Sequence, residues 1–261
     1  MNEPTKENPC VLIQPEAGGS LWRVILNRPK GNVLDRAMLE SLTAVVRKAR
    51  AAHGLKTVLF EGAGPNFSFG ASVPEHMPGE VEGMLPVFHE LFYALADCGC
   101  VLAAAVRGRC LGGGLELAAF CHRVFSTPDA HLGNPEIVLG VFAPVSSIIL
   151  PMRMGQAAAD DLLLTGKQIH GEEAHARGLV DVLASDPAAA ALEWHQSSFG
   201  GLSASSLAFA VGAARDELHA RLRERLPLLE RRYLEELMAT HDAQEGIRAF
   251  MDKRTAQWTH R

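Results

Sequence analysis

The sequence predicts an α/β fold with a largely parallel sheet, followed by a region made only of helices. In the first 200 residues, apolar runs typical of buried strands alternate with segments of helical periodicity. Strand–helix–strand order favours parallel pairing with right-handed crossovers. After Gly200-Gly201, only helical patterns are found. We therefore divide the chain into a core, residues 1–200, which would carry the functional site, and a C-terminal helical region, residues 201–261.

The first predicted element is a hairpin. Two short apolar strands, 11–14 and 22–26, lie on either side of the Gly18-Gly19 turn. A helix follows at 34–52, because Asp35 suits a helix start and apolar side chains recur after it at helical spacing. The other elements predicted up to residue 126 are strands at 57–61, 101–106 and 124–126 and helices at 81–96 and 115–121.

The second half of the sequence is predominantly helical. Proline removes a backbone donor inside a helix, so we expect Pro227 to split the helical region, with a second break at His241-Asp242. The elements predicted after residue 126 are a strand at 179–183 and helices at 144–154, 156–164, 172–177, 187–199, 203–226, 228–240 and 244–253.

The composition is typical of a globular protein and excludes several classes of partner. Of 261 residues, 48% are hydrophobic, and the formal net charge of -5 gives no general attraction to nucleic acid. The five cysteines lack regular spacing, which favours free thiols in a reducing compartment, Cys98 and Cys100 included. Residues 1–9 resemble a loose polar tail rather than a signal peptide, and no apolar stretch approaches the ~20 residues of a membrane span. We expect a cytoplasmic protein with no membrane partner.

A glycine-rich segment after the strand 101–106 is the strongest sign of function. Residues 109–116 (Arg-Cys-Leu-Gly-Gly-Gly-Leu-Glu) place three glycines at a strand-to-helix junction and the carboxylate of Glu116 one turn into the helix. Glycine lets the backbone approach a ligand closely, and the first amides of a helix lack internal partners. An oxygen atom that gains negative charge would be stabilised there. The segment lacks the Gly-x-Gly-x-x-Gly spacing of a dinucleotide site.

Two further segments complete the pattern. Residues 133–136 (Gly-Asn-Pro-Glu) supply a second carboxylate in an apolar setting, and residues 67–72 (Phe-Ser-Phe-Gly-Ala-Ser) form another glycine loop after a strand. In this combination and order, the three segments resemble the enoyl-CoA hydratase/isomerase family, also called the crotonase superfamily. The resemblance covers residues 21–254 approximately. It implies a crotonase-like spiral of ββα units, followed by a helical region that helps to build a trimer.

The resemblance implies a way of activating a CoA thioester. Members of the family hold the thioester carbonyl oxygen between two backbone amides, which by motif are those of Ala71 and Gly113. Water addition to a double bond conjugated with the thioester builds negative charge on that oxygen, so each fixed donor lowers the barrier by ~3–4 kcal/mol. Glu116 and Glu136 match the two glutamates of the family's hydratases, where one activates water and the other delivers a proton. We expect Glu136 to be the proton donor and Glu116 the base, although the sequence leaves this division open.

Contacts with the substrate follow from the same resemblance. Lys30 matches a loop that lies near CoA, and Phe250 and Lys253 match C-terminal positions that reach the CoA of a neighbouring subunit. The alternatives are ordinary surface charges for the lysines and core packing for Phe250. The substrate would also contact the two glycine loops, at Phe69, Gly70, Ser72 and Gly112, and the start of the helix predicted at 144–154, at Pro144.

The expected partners are an acyl-CoA thioester and further copies of the chain, in a homotrimer or in a hexamer made of two trimers. No cofactor is expected, because coenzyme A is part of the substrate. No metal is expected either, because no histidine or further acid is spaced to complete a site with the two glutamates.

The sequence departs from common hydratases around the acyl group. Ser72 stands where an acidic residue is usual, Phe69 is larger than the usual residue, and residues 142–150 replace a glycine-rich stretch. These changes argue against a linear short-chain substrate. Segments 67–76, 134–144 and 233–242 resemble instead a branch that hydrates cyclohexa-1,5-diene-1-carbonyl-CoA to 6-hydroxycyclohex-1-ene-1-carbonyl-CoA in anaerobic benzoyl-CoA degradation.

Several other functions stay open on this scaffold. They are a general short-chain enoyl-CoA hydratase, a double-bond isomerase and a ring-opening hydrolase. Retention of both Glu116 and Glu136 favours hydration over the other two reactions. An RNA-binding role is disfavoured by the acidic net charge and by the lack of a lysine-rich helix.

Overall fold

The structure is a computed structural model that describes residues 9–261, so the tail predicted at the N-terminus lies outside the described residues except for Pro9. Within this range the strands are β1 (Val11–Glu16), β2 (Leu21–Leu26), β3 (Thr57–Gly62), β4 (Val101–Val106), β5 (Arg109–Leu111), β6 (Arg123–Ser126), β7 (His131–Gly133), β8 (Gln168–His170) and β9 (Val182–Leu183). The α-helices are α1 (Arg36–Ala51), α2 (Val81–Ala96), α3 (Gly113–Phe120), α4 (Pro144–Met154), α5 (Gln156–Thr165), α6 (Gly171–Ala176), α7 (Pro187–Phe199), α8 (Ala204–Arg231) and α9 (His241–Met251).

The described strands form two sheets. The larger sheet has the order β1-β2-β3-β4-β6-β9, in which β1 and β2 are antiparallel and all later pairs are parallel. The smaller sheet has the order β5-β7-β8, with β5 and β7 parallel and β7 and β8 antiparallel. The predicted α/β fold and the predicted hairpin are therefore confirmed.

Both faces of the larger sheet are covered, as is usual for parallel sheets. Every residue of β4 is buried, and alternate side chains enter two different cores. Leu102 and Ala104 belong to the main core, which includes residues of α1, α2 and α3, whereas Ala103 and Ala105 pack in a smaller core with α7. The larger sheet is thus a buried layer from which the loop after β3 projects, and β4 leads directly into β5 of the smaller sheet.

The prediction missed the smaller sheet. Its three strands have three residues each, too few for an apolar alternation to be recognised. The helix expected to begin at Leu115 begins at Gly113, because Gly112 adopts a φ of 53° and ends the preceding strand. The strand expected at 179–183 is limited to β9.

The prediction that the C-terminal helical region breaks at Pro227 and at His241-Asp242 is wrong. Helix α8 continues through Pro227 and is followed directly by a π-helical segment, Arg232–Leu237. Leu226 is buried immediately before the proline and Tyr233 is buried after it, so packing on both sides holds the direction of the helix despite the missing hydrogen bond. His241 is the first residue of α9 rather than a break, because the hydroxyl of Thr240 caps this helix.

The boundary that we predicted at residue 200 falls in the short connection between α7 and α8. In the part of the chain that the structure describes, none of the helices combines the length and the apolar character needed to cross a bilayer.

Candidate active site

Three segments lie side by side at one end of the larger sheet. Ser68, in the loop after β3, forms a parallel bridge with Cys110 of β5. The amide of Leu111 donates to the carbonyl of Ser68 over 3.0 Å. On the other side, the amide of Gly112 donates to the carbonyl of Gly133, over 2.9 Å. The smaller sheet thus brings together the three sequence segments that we identified separately.

The first two segments come closest at the two predicted oxyanion amides. A Cβ atom on Gly70 would lie 3.1 Å from the amide nitrogen of Gly113, and a Cβ atom on Gly113 would lie 3.3 Å from that of Ala71. Gly70 has a φ of 93°, a conformation that favours glycine. Among the described residues, neither Ala71 nor Gly113 donates its amide to a loop, turn or cap hydrogen bond. Both residues line the same cavity.

The conformation of the first loop is fixed by two buried polar side chains. The amide group of Asn32, which is fully buried, donates to the carbonyls of Ala63 and Asn66 over 3.0 Å and to that of Phe67 over 3.1 Å. The hydroxyl of Ser68 donates to the Asn32 carbonyl over 2.8 Å and accepts from the Gly70 amide over 3.1 Å. These bonds hold the loop that presents Ala71.

A cavity of about 380 Å³ lies against these amides, a size suited to a small-molecule ligand. Its walls are mostly apolar and come from the two glycine loops, α2, the segment before α4 and the helical region. The polar side chains that line it are those of His76, Arg109, Glu116, Glu136, Gln168 and Tyr233.

Glu116 is one turn into α3 and only 3% exposed. Its Oε1 atom accepts a hydrogen bond of 2.8 Å from the amide of Ser146 near the start of α4. Burial raises the pKa of Glu116 well above its usual value, and the charge of Glu136 raises it further. Burial and mutual repulsion therefore favour a single proton shared by Glu116 and Glu136 near neutral pH.

Glu136 lies in the 3₁₀ helix Pro135–Leu139, which follows β7. The side-chain amide of Asn134 donates to its Oε1 atom over 3.4 Å, and its Oε2 atom is buried without a hydrogen-bond partner among residues 9–261. Burial raises the pKa of Glu136 as well. Two such carboxyls facing one apolar cavity can share one proton, the arrangement that an acid–base pair requires.

Nine of the twelve predicted site residues line this cavity. They are Phe69, Gly70, Ala71, Gly112, Gly113, Glu116, Glu136, Pro144 and Phe250. Phe250 lines the cavity of its own chain and is 55% exposed, and its contact with the CoA of a neighbouring subunit stays a prediction.

The other three predicted residues do not line the cavity. Lys30 and Lys253 are exposed outside it. Ser72 is half-buried and does not line the cavity, and its carbonyl contacts Nδ1 of His76 over 2.8 Å. The imidazole of His76, rather than Ser72, therefore lines the cavity, and burial lowers its pKa.

Tyr233 is the main feature that the sequence analysis did not assign. It is 1% exposed and lines the cavity from the helical region. It lies in the segment 233–242, which resembles ring-dienoyl-CoA hydratases, but the sequence predicted no role for this residue. The position of Tyr233 beside the glutamates depends on a contact across more than 90 residues of chain, which periodicity does not reveal.

Helix α9 closes the cavity from the same side, through Ile247 and Phe250. The helix is tied to the chain that follows it by Glu245, whose carboxylate accepts two hydrogen bonds, of 2.5 and 2.9 Å, from the Arg254 guanidinium. This pairing lowers the pKa of Glu245 to about 2. The C-terminal region thus forms part of the cavity wall.

The fold and the cavity define an enzyme-like site with paired carboxyls beside the main-chain amides of Ala71 and Gly113. The model of the family described as enoyl-CoA hydratase/isomerase matches residues 16–261, and the chain belongs to this family. The predictions of a crotonase-like fold and of an enzyme of the hydratase class are thereby confirmed at the level of the family.

Individual relatives agree with this assignment. A cyclohexa-1,5-dienecarbonyl-CoA hydratase from Thauera aromatica is 50% identical over 246 residues, which cover 94% of this chain and 95% of the relative. A probable enoyl-CoA hydratase from Rhizobium meliloti is 33% identical over 250 residues, which cover 94% and 97%. The predicted resemblance to ring-dienoyl-CoA hydratases is therefore confirmed as a resemblance.

Solved structures support the fold. An enoyl-CoA hydratase/isomerase from Pseudoalteromonas atlantica superposes with a TM-score of 0.86 over 96% of this chain and 100% of that chain, at 22% identity. An enoyl-CoA hydratase from Mycobacterium avium has a TM-score of 0.84 over 96% and 98%, also at 22% identity.

Proposed function

We propose that this enzyme is a hydro-lyase that adds water to a cyclic conjugated dienoyl-CoA. The substrate would be cyclohexa-1,5-diene-1-carbonyl-CoA and the product 6-hydroxycyclohex-1-ene-1-carbonyl-CoA. The observation that carries this proposal is the pair of buried carboxyls, Glu116 and Glu136, at one apolar cavity beside the amides of Ala71 and Gly113. The 50% identity to a hydratase of that name supports the choice of substrate.

The amides would act on the thioester. Attack of water on the ring carbon β to the thioester moves negative charge onto the thioester oxygen and along the ring. Two fixed N–H donors stabilise this charge without reorganisation, each by ~3–4 kcal/mol if comparable to donors of known effect. The donors belong to the rigid loops around Gly70 and Gly112, so their positions do not depend on side-chain rotamers.

The carboxyls would transfer the protons. As the water oxygen bonds to the β carbon, one of its protons passes to the ionised carboxylate, and the protonated carboxyl gives its proton to the far end of the ring diene. One water is added, and the pair again holds one proton. We expect Glu136 to donate to carbon and Glu116 to accept from water. The reaction needs no cofactor and no metal.

A product analysis tests this function. Purified enzyme is incubated with cyclohexa-1,5-diene-1-carbonyl-CoA and, separately, with crotonyl-CoA, and the products are followed by absorbance and by mass. Addition of one water to an intact ring, with kcat/KM higher than for crotonyl-CoA, supports the proposal. An unchanged mass would indicate an isomerase, and water addition with ring cleavage a hydrolase. Preference for crotonyl-CoA would favour a general enoyl-CoA hydratase, the activity in the name of the Rhizobium relative.

We also propose that the chain forms a homotrimer, or a dimer of trimers, through the helical region 201–261. Exposed apolar side chains on α8 support this, since Phe209 is 83% exposed in the single chain. Native mass spectrometry measures the number of subunits directly, and a monomer at micromolar concentration would contradict the proposal.

A further inference from the structure

The hydroxyl group of Tyr233 has no hydrogen-bond partner among the described residues. The side chain is 1% exposed, and its oxygen atom is buried. The ring itself is well packed, with its centroid 5.3 Å from that of Phe142. A phenylalanine would make the same ring contacts without the cost of burying an unpaired hydroxyl. The hydroxyl therefore calls for an explanation outside the packing of the fold.

The backbone at this position is unusual too. Tyr233 belongs to the π-helical segment Arg232–Leu237, in which the amide of Met238 donates to the Tyr233 carbonyl over 3.0 Å, five residues back. Such segments are rare and occur frequently at functional sites, because they change the direction in which a side chain projects. Here the segment places the phenol in the cavity wall.

Tyr233 lines the same cavity as the two glutamates. Burial raises the pKa of Tyr233, and the charges of Glu136 and Glu116 raise it further. The group stays protonated at neutral pH and can donate a hydrogen bond. It is a neutral donor beside two groups that accept protons.

A water molecule that adds to a double bond requires specific hydrogen-bond partners, and the groups around this cavity can supply them. Its two hydrogens require acceptors, one lone pair attacks carbon, and the other lone pair accepts a hydrogen bond. The carboxyl oxygens of the two glutamates can accept hydrogen bonds from the water hydrogens. In the proposed reaction, the amides of Ala71 and Gly113 donate to the thioester oxygen and are not available to the water. Among the polar side chains that line the cavity, the phenol is the buried group with a free donor for the second lone pair.

We propose that the Tyr233 hydroxyl donates a hydrogen bond to the oxygen that water contributes to the product. It orients the water during addition and afterwards binds the hydroxyl group on the ring of the product. Tyr233 transfers no proton itself, so the balance of the reaction is unchanged. This inference rests on the proposed function, and it identifies Tyr233 as a further catalytic residue that distinguishes hydroxylated from unhydroxylated acyl groups.

The test compares two ligands in two variants. Tyr233→Phe removes only the hydroxyl, and Tyr93→Phe makes the same change at the one other tyrosine of the chain, which does not line the cavity. Binding of 6-hydroxycyclohex-1-ene-1-carbonyl-CoA and of cyclohex-1-ene-1-carbonyl-CoA is measured by calorimetric titration. Loss of one hydrogen bond should weaken binding of the hydroxylated ligand by about three- to tenfold in Tyr233→Phe. Binding of the unhydroxylated ligand, and both affinities in Tyr93→Phe, should stay unchanged, while kcat for hydration falls in Tyr233→Phe alone.

If Tyr233→Phe weakens binding of both ligands equally, the hydroxyl only supports the fold and the inference is wrong. If neither binding nor kcat changes in Tyr233→Phe, the hydroxyl has no role in the reaction and the inference is also wrong. A second measurement needs no variant. Because the chain has two tyrosines, carbon-13 labelling at Cζ gives two NMR signals. The Tyr233 signal should shift with the hydroxylated ligand and much less with the unhydroxylated one; equal shifts would contradict the inference. If wild-type enzyme hydrates neither the cyclic diene nor crotonyl-CoA, the proposed function fails first, and this inference fails with it.

Discussion

A Cβ atom on Gly112 would stand 2.9 Å from the Oε1 atom of Glu136, so the absence of a side chain at one residue sets the position of the carboxyl at the other. Gly112 also has a φ of 53°, a conformation that costs other residues free energy. The turn that begins α3 and the placement of the second glutamate are therefore a single structural feature.

Gly112→Ala should displace this carboxyl more than it disturbs the fold, because the colliding atom is the end of a flexible side chain. We expect turnover to fall by about 100-fold, as for an acid misplaced by about 1 Å. The free energy of unfolding should fall by about 1–3 kcal/mol, because the backbone conformation of Gly112 is unfavourable for alanine. Steady-state kinetics and urea unfolding measure both effects. Gly212→Ala on α8, where a Cβ would meet nothing within 4 Å, is the control and should leave turnover unchanged. Wild-type turnover in Gly112→Ala would show that Glu136 is not positioned in this way.

Glu136→Gln should separate binding from chemistry. The amide keeps the shape of the carboxyl but cannot deliver a proton, so we expect kcat to drop by about 10²–10⁴-fold. Affinity for an unreactive thioester such as acetyl-CoA should change less than threefold, since we expect Glu136 to act on the acyl group rather than to bind CoA. Glu172→Gln, an exposed acid on α6, is the control. Full activity of Glu136→Gln would remove this residue from the mechanism.

The buried carboxyls should also make stability depend on pH. A carboxyl with a raised pKa binds its proton more tightly in the folded state than in the unfolded state, so it destabilises the fold as pH rises above the unfolded value of about 4.3. Glu116→Gln removes this penalty and should increase the free energy of unfolding by about 1–3 kcal/mol at pH 8, with little change at pH 4.5. Thermal unfolding at the two pH values measures the difference. An increase of the same size at both would mean that ionisation is not the cause.

Asn32 should be essential for the loop that carries Ala71. Asn32→Ala leaves three backbone carbonyls without their donor, and we expect a loss of about 2–4 kcal/mol in the free energy of unfolding. Asn27→Ala removes a single, exposed bond to the carbonyl of Pro9 and should cost less than about 1 kcal/mol. Urea denaturation compares the two variants, and equal losses would contradict a special role for Asn32.

The short strands of the smaller sheet show where prediction from sequence reached its limit. The helix 81–96 and the strand 101–106 were predicted with the bounds that the structure has, because long apolar patterns reflect burial directly. Strands β5, β7 and β8 form only because neighbouring segments supply their hydrogen bonds. A pattern of three residues cannot indicate such partners. Similarly, Pro227 indicated a break that the packing around Leu226 and Tyr233 prevents.

By itself, the sequence determined the alternation of strands and helices, the family, and the residue types of the site: two glycine loops and two glutamates in a fixed order. Those features are local, or depend on order along the chain. Only the tertiary structure decided that Glu116 and Glu136 share one apolar cavity, that Phe250 lines the cavity of its own chain, and that Tyr233 joins them from the helical region. These arrangements depend on contacts between residues that are far apart in the chain. The free energy of such contacts comes from burial in the folded protein, so a local sequence pattern cannot predict them.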